Sequence, residues 1–453
     1  MKNSDNNKFK SRFGYLMFAC GAAIGIGNIW KFPYLAYQGG GGIFIFVYLL
    51  VVFIITRPLA EMETTLGRFS RTDSVSAFEK INKRWGFVGW ISNAAILLTL
   101  FFYVVVCGWC LKYAFQFMFV GSFGEDPSQY FATFVSSTYE PLIWSFIVLI
   151  IVLFLLVFGI TNFVEKISKI ILPGLTILLI TTGIYACCIN PNSMEGLKYY
   201  FLPDFSKFSF KVFADAVTQS LFSIGVGWGA FITLGASVPK ENNIRKDTIF
   251  LCIADTFIAI LAGFTIIPSA YGAGIEVGVG PSLIFNVMTG IFLKLPGGRV
   301  FGSFFFLAIV FAAISTLFAY MEIPIKTIEN KCKIKRKYAV LIAGGIVAIG
   351  NILTSLGYGV LNGAKIPWVS FSGIDWLNFH DWFDRMSSYL LLPLGGILLC
   401  IFIAFKWGWK NYEEELTVGN RDGKIHIWNK IVVYALIPIC MVIVFLNLFG
   451  VIK

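Results

Sequence analysis

Charged residues are scarce in this sequence: Asp, Glu, Lys and Arg make up 13% of its 453 residues, and it has only two His. Soluble globular domains carry about 25% charged and about 45–50% apolar residues, whereas this chain is 57% hydrophobic with a mean hydropathy of +0.77. The composition argues against a soluble enzyme, a disordered tail and a nucleic-acid binder. His380 and His426 fall in predicted loops, so neither an HExxH zinc motif nor a catalytic triad is available.

Long apolar runs are what the sequence has in abundance. A helix needs about 20 predominantly apolar residues to cross a bilayer. Stretches of that kind centre near residues 25, 53, 102, 150, 178, 224, 260, 312, 347, 397 and 438. The sequence therefore predicts an all-α membrane protein with eleven transmembrane helices.

The basic residues are concentrated in alternate loops between these runs. If the N-terminus is cytoplasmic, 25 of the 36 Lys and Arg lie on the inner side, which is the positive-inside bias. The net charge of +11 therefore orients the chain in the lipid bilayer and calls for no nucleic-acid partner. We predict a multi-pass protein of the inner (plasma) membrane, with its C-terminus outside and no obligate protein partner evident.

Two of the apolar runs contain clustered Gly in their middle: Gly-Ala-Ala-Ile-Gly-Ile-Gly-Asn at residues 21–28 and Ser-Ile-Gly-Val-Gly-Trp-Gly at residues 223–229. Taken alone, each cluster favours close packing of helices through small residues. The clusters stand five helices apart, however, and matching interruptions in two halves of a membrane chain are typical of inverted-repeat transporters with the binding site at the breaks. This layout predicts repeats at about 11–190 and 210–408, and an extra helix at about 427–449.

Ionisable side chains inside apolar runs are costly and usually functional. Asp255 stands near the middle of the seventh run and has no basic residue nearby in sequence. If it is ionised, a cation must lie close to it; the alternative is a neutral Asp hydrogen-bonded to a neighbouring helix. Lys31 also lacks a local acid and needs a partner from elsewhere in the chain.

Two weaker patterns are also present. Ser315 and Thr316 form a hydroxyl pair in the eighth run, which most often bonds back to the preceding helical turn but could also supply oxygen ligands to a cation. Arg57 and Glu61 have i, i+4 spacing, which favours an internal ion pair.

Short motifs in this chain resemble the neurotransmitter:sodium symporter family in its bacterial amino-acid transporter branch. They are Arg12-Phe-Gly14, Gly25-Ile-Gly27-Asn28-Ile-Trp-Lys31-Phe-Pro33-Tyr34, Gly39 to Gly42, Pro58 with Glu63, Gly67-Arg68, Phe222-Ser223 with Gly227-Trp228-Gly229, and Pro393-Leu-Gly-Gly396. The resemblance covers roughly residues 12 to 410, and the combination is highly specific. It implies a transporter, not an enzyme, with two inverted five-helix repeats and broken helices 1 and 6, as in the bacterial leucine transporter.

The resemblance also implies two Na⁺ sites and a substrate site at the breaks. The first Na⁺ would be bound by the Ala23 carbonyl, Asn28, Ser223, Asp255 and the substrate carboxylate. The second would be bound by the carbonyls of Gly21, Ile24 and Ala312 and the hydroxyls of Ser315 and Thr316. The substrate carboxylate would meet the N–H groups of Ala23 and Gly27 and the Tyr103 hydroxyl, and its ammonium the carbonyls around Phe222, Ser223 and Gly225. Ends of half-helices suit these charges, since their N-termini attract anions and their C-termini attract cations.

The sequence departs from the family's pattern at two charged positions. Asp255 stands where many members have Asn, and the position one turn later is Ala259 where others bear Glu or a chloride-binding Ser. The negative charge has thus moved next to the first ion, which predicts transport independent of chloride. Lys31 replaces the usual Arg of the outer gate opposite Asp384, and a point charge in place of a bidentate fork predicts a looser or water-bridged gate.

The cytoplasmic gate has no clean match. Asn6 and Asn330 occupy the positions of the family's Arg and Asp, and Lys8 or Lys10 with Glu329 is the substitute that the sequence offers.

The substrate pocket implied by the resemblance carries no fixed charge. It is lined by Thr99, Tyr103, Phe222, Gly225, Trp228, Thr316 and Tyr320. A charged substrate would be left unpaired there, so we expect Na⁺-coupled symport of a neutral, hydrophobic or aromatic amino acid by alternating access. Tyrosine, tryptophan, leucine and smaller residues all stay possible. The alternative is a proton-coupled or cation-independent amino-acid exchanger on the same fold, with Asp255 as the proton carrier.

Overall fold

The computed structural model describes residues 12–158, 161–189, 192–274, 283–294, 296–419 and 425–452, and these are mostly helical. In chain order the principal helices are α1 (Arg12–Ala23), α2 (Gly27–Gln38), α3 (Gly42–Ser70), α4 (Ser74–Ile81), α5 (Lys83–Val120), α6 (Pro127–Ser136), α7 (Glu140–Val157), α8 (Thr161–Ile189), α9 (Ser193–Phe201), α10 (Phe210–Ile224), α11 (Ala230–Gly235), α12 (Ile244–Ala273), α13 (Ile284–Lys294), α14 (Gly298–Cys332), α15 (Arg336–Leu356), α16 (Phe379–Trp407), α17 (Trp409–Thr417) and α18 (Ile427–Leu448).

Within the described residues, eight helices are long and apolar enough to cross a membrane. The pair α1 and α2, bent by 51° at its break, would together form a ninth span. Helices also lie at the other two predicted spans, α8 and the pair α10 and α11, but do not meet the same criterion. The multi-pass membrane protein is confirmed, while the count of eleven and the division into two inverted repeats stay predictions.

Polar residues mark where several of these helices begin. In each case a side-chain oxygen accepts a hydrogen bond from a backbone N–H two or three residues later, which satisfies a donor that has no partner inside the helix. These residues are Asp73 before α4, Asp126 before α6, Ser209 before α10, Asn243 before α12 and Asn378 before α16.

The interrupted helices lie inside a shell of longer ones. Helix α5 packs against α7, α14 and α15, while α12 packs against α8 and α9. Inside this shell, α1 contacts α8, α12 and α14, and α11 contacts α3. On the outside, helices such as α18 expose apolar side chains including Ile439 and Val442, as expected where lipid is the solvent.

A two-stranded hairpin corrects the all-α prediction. Strands β1 (Ile366–Ser370) and β2 (Gly373–Leu377) pair antiparallel between α15 and α16, with Ile366 opposite Leu377 and Ser370 opposite Gly373. The Phe371 N–H donates to the Phe449 carbonyl at 2.8 Å, which attaches the hairpin to the residue after α18.

His380 is a second correction, because it lies in the first turn of α16 and not in a loop. Its Nδ1 is 2.8 Å from the Tyr358 hydroxyl, and its ring stacks on Phe102 with centroids 4.9 Å apart. The imidazole is therefore buried and packs against aromatic side chains. His426, as predicted, precedes a helix and lies outside it.

Candidate functional site

The first predicted interruption is present between α1 and α2. Helix α1 ends at Ala23, and residues 24 and 25 form a bend. The freed N–H groups find partners outside the helix ladder: Gly25 N donates to Asn28 Oδ1 at 3.0 Å, and Ile26 N donates to the Tyr103 hydroxyl at 3.0 Å. Because the Tyr103 oxygen accepts this bond, its own hydrogen remains to be donated elsewhere.

The second predicted interruption is present between α10 and α11. Its Gly225, Gly227 and Gly229 all have positive φ, at 86°, 96° and 70°, which glycine adopts at little cost. The Glu63 side chain of α3 reaches into this break, where its two oxygens accept from Gly227 N at 2.8 Å and Phe231 N at 3.2 Å. Two backbone N–H groups at the break thus donate hydrogen bonds to a buried carboxyl group.

This role of Glu63 does not follow from the sequence. Its partners lie more than 160 residues further along the chain, so no local spacing could indicate them. The only available indication was an acid inside an apolar run with no basic residue one turn away, the same indication that drew attention to Asp255.

Asp255 lies at the meeting point of both broken helices. Its Oδ1 accepts from Asn28 Nδ2 at 2.7 Å, its Oδ2 accepts from the Ser223 hydroxyl at 2.8 Å, and Asn28 Nδ2 also lies 3.0 Å from Ser223 Oγ. All three side chains are buried, Asp255 completely. Among the described residues Asp255 has no cationic partner within ion-pair distance. We call Asn28, Ser223 and Asp255 the acid cluster.

A second group of oxygens joins α1 to α14. The Ser315 hydroxyl lies 2.6 Å from the Gly21 carbonyl, and the Thr316 hydroxyl lies 3.2 Å from it. Both hydroxyls also reach the Ala312 carbonyl of their own helix, at 3.1 and 3.2 Å. The predicted back-bonding is therefore real but shared with a contact across helices. We call Gly21, Ala312, Ser315 and Thr316 the hydroxyl cluster; Ile24 follows in the bend beyond α1.

Aromatic side chains border the space between the two breaks. Trp228 packs edge-on against Phe222 and Tyr320, with ring centroids 5.3 and 4.9 Å away, and Tyr103 lies 6.4 Å from Tyr320. The indole N–H of Trp228 is buried and has no hydrogen-bond partner among the residues that the structure describes. Thr99 is buried beside them and donates to Ala95 O at 3.1 Å.

Above this space, Lys31 and Asp384 form the predicted outer pair. Lys31 Nζ lies 2.7 and 3.0 Å from the two Asp384 oxygens, and the Ser388 hydroxyl donates to Asp384 at 2.6 Å. Lys31 Nζ also sits 4.3 Å from the centroid of the Phe222 ring. A water bridge between the two charges is wrong for this conformation, because the ammonium touches the carboxylate directly and has an aromatic face beneath it. The looser gate stays a prediction.

Of the residues predicted for the cytoplasmic gate, Asn6, Lys8 and Lys10 lie outside the described residues. Asn330 donates to Asp73 at 2.7 Å. Glu329 lines a cavity of about 810 Å³.

Arg12 and Arg57, both singled out from the sequence, each form an ion pair. Arg12 binds Asp247 at 2.6 Å and so attaches the start of α1 to α12. Arg57 and Glu61 approach to 3.6 Å, in keeping with their predicted pairing.

Discontinuous helices that meet deep inside an apolar bundle are typical of membrane transporters. The sequence matches the Sodium:neurotransmitter symporter family over residues 6–123 and 137–453, and the chain belongs to that family. Transporters of this family use sodium.

Individual relatives agree with the assignment. An uncharacterized sodium-dependent transporter of Bacillus subtilis, YhdH, is 30% identical over 98% of both chains. The human sodium- and chloride-dependent GABA transporter 2 is 25% identical over 70% of this chain and 60% of its own length. The crystal structure of MhsT in complex with L-phenylalanine superposes with a TM-score of 0.90 at 32% identity, and the match covers 98% of this chain and 99% of MhsT.

Proposed function

We propose that this chain carries a neutral amino acid across the membrane together with Na⁺, by alternating access. The observation that carries the proposal is the acid cluster, in which a fully buried carboxylate meets only neutral hydrogen-bond donors among the described residues. At about 4 Å and an effective dielectric near 20, one cation beside an ionised Asp255 is worth about 4 kcal/mol. Oxygen atoms of Asn28, Ser223 and the Ala23 carbonyl complete a ligand set that suits a small hard cation.

The hydroxyl cluster, together with the Ile24 carbonyl, forms the second Na⁺ site of the proposal. Its support is that oxygens of α1 and α14 already lie within 3.2 Å of one another. An ion there would hold α1 against α14 and so favour the form that is closed to the cytoplasm. Its release would free the inner end of α1 to move, a population shift set by the differential affinity of the ion for the two states.

The substrate lies between the breaks in this proposal. Its carboxylate receives hydrogen bonds from the N–H groups of Ala23 and Gly27 and from the Tyr103 hydroxyl, which lies at the break and accepts from Ile26 N. Its ammonium meets carbonyls near Phe222, Ser223 and Gly225, and its side chain meets Thr99, Trp228, Thr316 and Tyr320. A neutral substrate with an apolar side chain is supported by the lack of charge among these residues, and an amino acid by the L-phenylalanine bound to MhsT.

We further propose that transport does not require chloride. Asp255 supplies a negative charge next to the first ion, and the buried Ala259 one turn later offers no hydroxyl to hold an anion. The positive-inside bias supports an inner-membrane location with the N-terminus in the cytoplasm and the C-terminus outside.

Uptake of radiolabelled amino acids into proteoliposomes tests the proposal. An inward Na⁺ gradient should drive accumulation, and replacing Na⁺ by K⁺ should abolish it. The second candidate is a proton-coupled or cation-independent exchanger, favoured by the same lack of a cationic partner at Asp255, since a neutral Asp255 could carry a proton. Accumulation that follows a proton gradient, or exchange that ignores both ions, would select that candidate.

A further inference from the structure

The β hairpin between α15 and α16 has two different faces. Directly paired residues of antiparallel strands place their side chains on the same face of the sheet, so Trp368 and Asp375 share one face. Trp368 is buried, because its ring stacks on Phe449 with centroids 6.2 Å apart and the Arg385 guanidinium lies 5.6 Å from its centroid. Arg385 also binds Asp375 at 2.7 Å. This packed face therefore rests on the residue after α18 and on the first turns of α16.

The opposite face of the hairpin is apolar and exposed. Pro367 pairs with Trp376, and Val369 pairs with Ile374. Val369, Ile374 and Trp376 are 66%, 57% and 63% exposed, Phe371 in the turn is 84% exposed, and Pro367 is exposed as well. We call these five residues the exposed face. A hairpin with water on one side normally carries polar side chains there, whereas a contiguous apolar patch marks contact with a membrane or another molecule.

Helix α18 fixes the level of the hairpin relative to the membrane. Its 22 residues, Ile427–Leu448, are about 33 Å long at 1.5 Å per residue, while the hydrocarbon core of a bilayer is about 30 Å thick. The Phe371 N–H in the hairpin turn donates to the Phe449 carbonyl at 2.8 Å. The turn therefore lies at the level where α18 leaves the lipid, on the side proposed to be outside.

The apolar surface of the neighbouring helices continues to this level. Helix α15, which precedes the hairpin, exposes Ile349 and Ile352 in its last two turns. Helix α18 exposes Val442 and Leu446 in its last two turns. The surface that these helices present to lipid thus reaches the ends to which the hairpin is joined.

We propose that the exposed face lies in the outer interface of the bilayer, against the glycerol and upper acyl-chain region of phospholipids, and anchors the hairpin there. Tryptophan suits this zone, because its ring is apolar while its N–H can stay near water. The five residues of the exposed face carry no charge, whereas the ion pair of Asp375 and Arg385 lies on the packed face. Through that pair the anchor is attached to the start of α16, one residue after Asp384.

Quenching of tryptophan fluorescence in vesicles tests this placement. The full-length protein is reconstituted in phosphatidylcholine and in the same lipid brominated near the headgroup end of one acyl chain, since bromine quenches only the rings that it can touch. Subtracting the spectrum of Trp376→Phe from that of the wild type gives the emission of Trp376. We expect the brominated lipid to reduce this emission more than acrylamide, a quencher dissolved in the water on both sides of the vesicle. Trp109→Phe is the matched control, because Trp109 is 1% exposed and its emission should respond to neither quencher.

Two results overturn the inference. A larger loss of Trp376 emission with acrylamide than with brominated lipid would place the exposed face in water. Emission that neither quencher reduces would place a protein against it, and that protein is a second copy of the chain if dilution in lipid restores the quenching.

If Trp376→Phe does not fold, Phe371→Trp in an otherwise wild-type chain adds a reporter in the hairpin turn, and its added emission is interpreted in the same way. The measurement involves no uptake, so a failure of the proposed function would leave its outcome unchanged.

Discussion

Each helix break has a buried acid beside it, and the two acids are bound in different ways. Glu63 accepts from two backbone N–H groups at the break between α10 and α11. Asp255 accepts from the side chains of Asn28 and Ser223. Backbone N–H groups at the start of a helix are fixed and carry partial positive charge, so they satisfy Glu63 permanently. The side chains around Asp255 can turn their oxygens toward an ion instead.

The comparison shows that burial of an acid inside a membrane protein does not by itself identify an ion site. The donors around the acid differ: fixed main-chain N–H groups bind Glu63, whereas rotatable amide and hydroxyl groups bind Asp255. In the function proposed above, a mobile cation balances Asp255, and Glu63 has a structural role only. Substitution of Asp255 should therefore lower the Na⁺ affinity, whereas substitution of Glu63 should lower the stability of the protein.

Asp255→Asn should have the largest effect. Removal of a charge worth about 4 kcal/mol to a cation at about 4 Å should weaken Na⁺ binding by about 1,000-fold. The measurement is the Na⁺ concentration for half-maximal uptake, together with binding of radioactive Na⁺ to the purified protein. Asp204→Asn is the matched control, because Asp204 is exposed and its capping bond from Ser206 N is one that Asn also makes. If Asp255→Asn kept the wild-type Na⁺ affinity, Asp255 would not be an Na⁺ ligand, and the two acids would not differ in this respect.

Glu63→Gln should instead affect stability. The amide keeps one acceptor but turns an NH₂ group toward a backbone N–H, and a buried donor without a partner costs about 1–3 kcal/mol. We expect a lower midpoint of thermal unfolding for the purified protein, while the Na⁺ affinity of the folded fraction stays near the wild-type value. Glu414→Gln on the exposed part of α17 is the control and should change stability by less than about 0.5 kcal/mol. A large loss of Na⁺ affinity in Glu63→Gln would show that both acids serve the ion.

Ser315→Ala extends the comparison to the hydroxyl cluster, which contains no charged group. Loss of one neutral oxygen contact is worth about 0.5–1.5 kcal/mol, or about 2- to 13-fold in Na⁺ affinity. The Na⁺ dependence of uptake measures it. Thr327→Ala is matched to it, since Thr327 is buried in the same helix and its hydroxyl donates to the Ile323 carbonyl of its own helix. Equal effects of the two variants would remove the support for an ion at this cluster.

Much of this arrangement could be predicted from sequence because it depends on local composition. Clustered Gly indicated both helix breaks, and an isolated acid in an apolar run indicated Asp255. The features that could not be predicted depend on contacts between residues that are distant in sequence. The Glu63 contacts are with α11 and its preceding turn, and the β hairpin is attached to Phe449 beyond α18. The buried His380 is stacked on Phe102, more than 270 residues before it.

The contact between Lys31 and Asp384 also depends on neighbours that are distant in sequence. Replacement of Arg by Lys predicted a weaker contact at Asp384, on the reasoning that one ammonium cannot make two parallel hydrogen bonds. The two charges alone do not determine the contact. The Phe222 ring under Lys31 and the Ser388 hydroxyl beside Asp384 hold the ions in contact, and neither neighbour follows from the spacing of the pair.

The smallest expected effect is that of replacing chloride by gluconate, which should leave the initial rate of Na⁺-driven uptake unchanged when the membrane potential is clamped. An anion would be needed to balance the first Na⁺ only if the protein did not supply a negative charge there, and Asp255 supplies it. Ala259→Ser should not create a chloride requirement, since an anion placed one turn from an ionised Asp255 would be repelled by it. A rate that vanishes in gluconate would mean that Asp255 is neutral in the transport cycle, and the contrast between the two acids would then have to be explained without a cation.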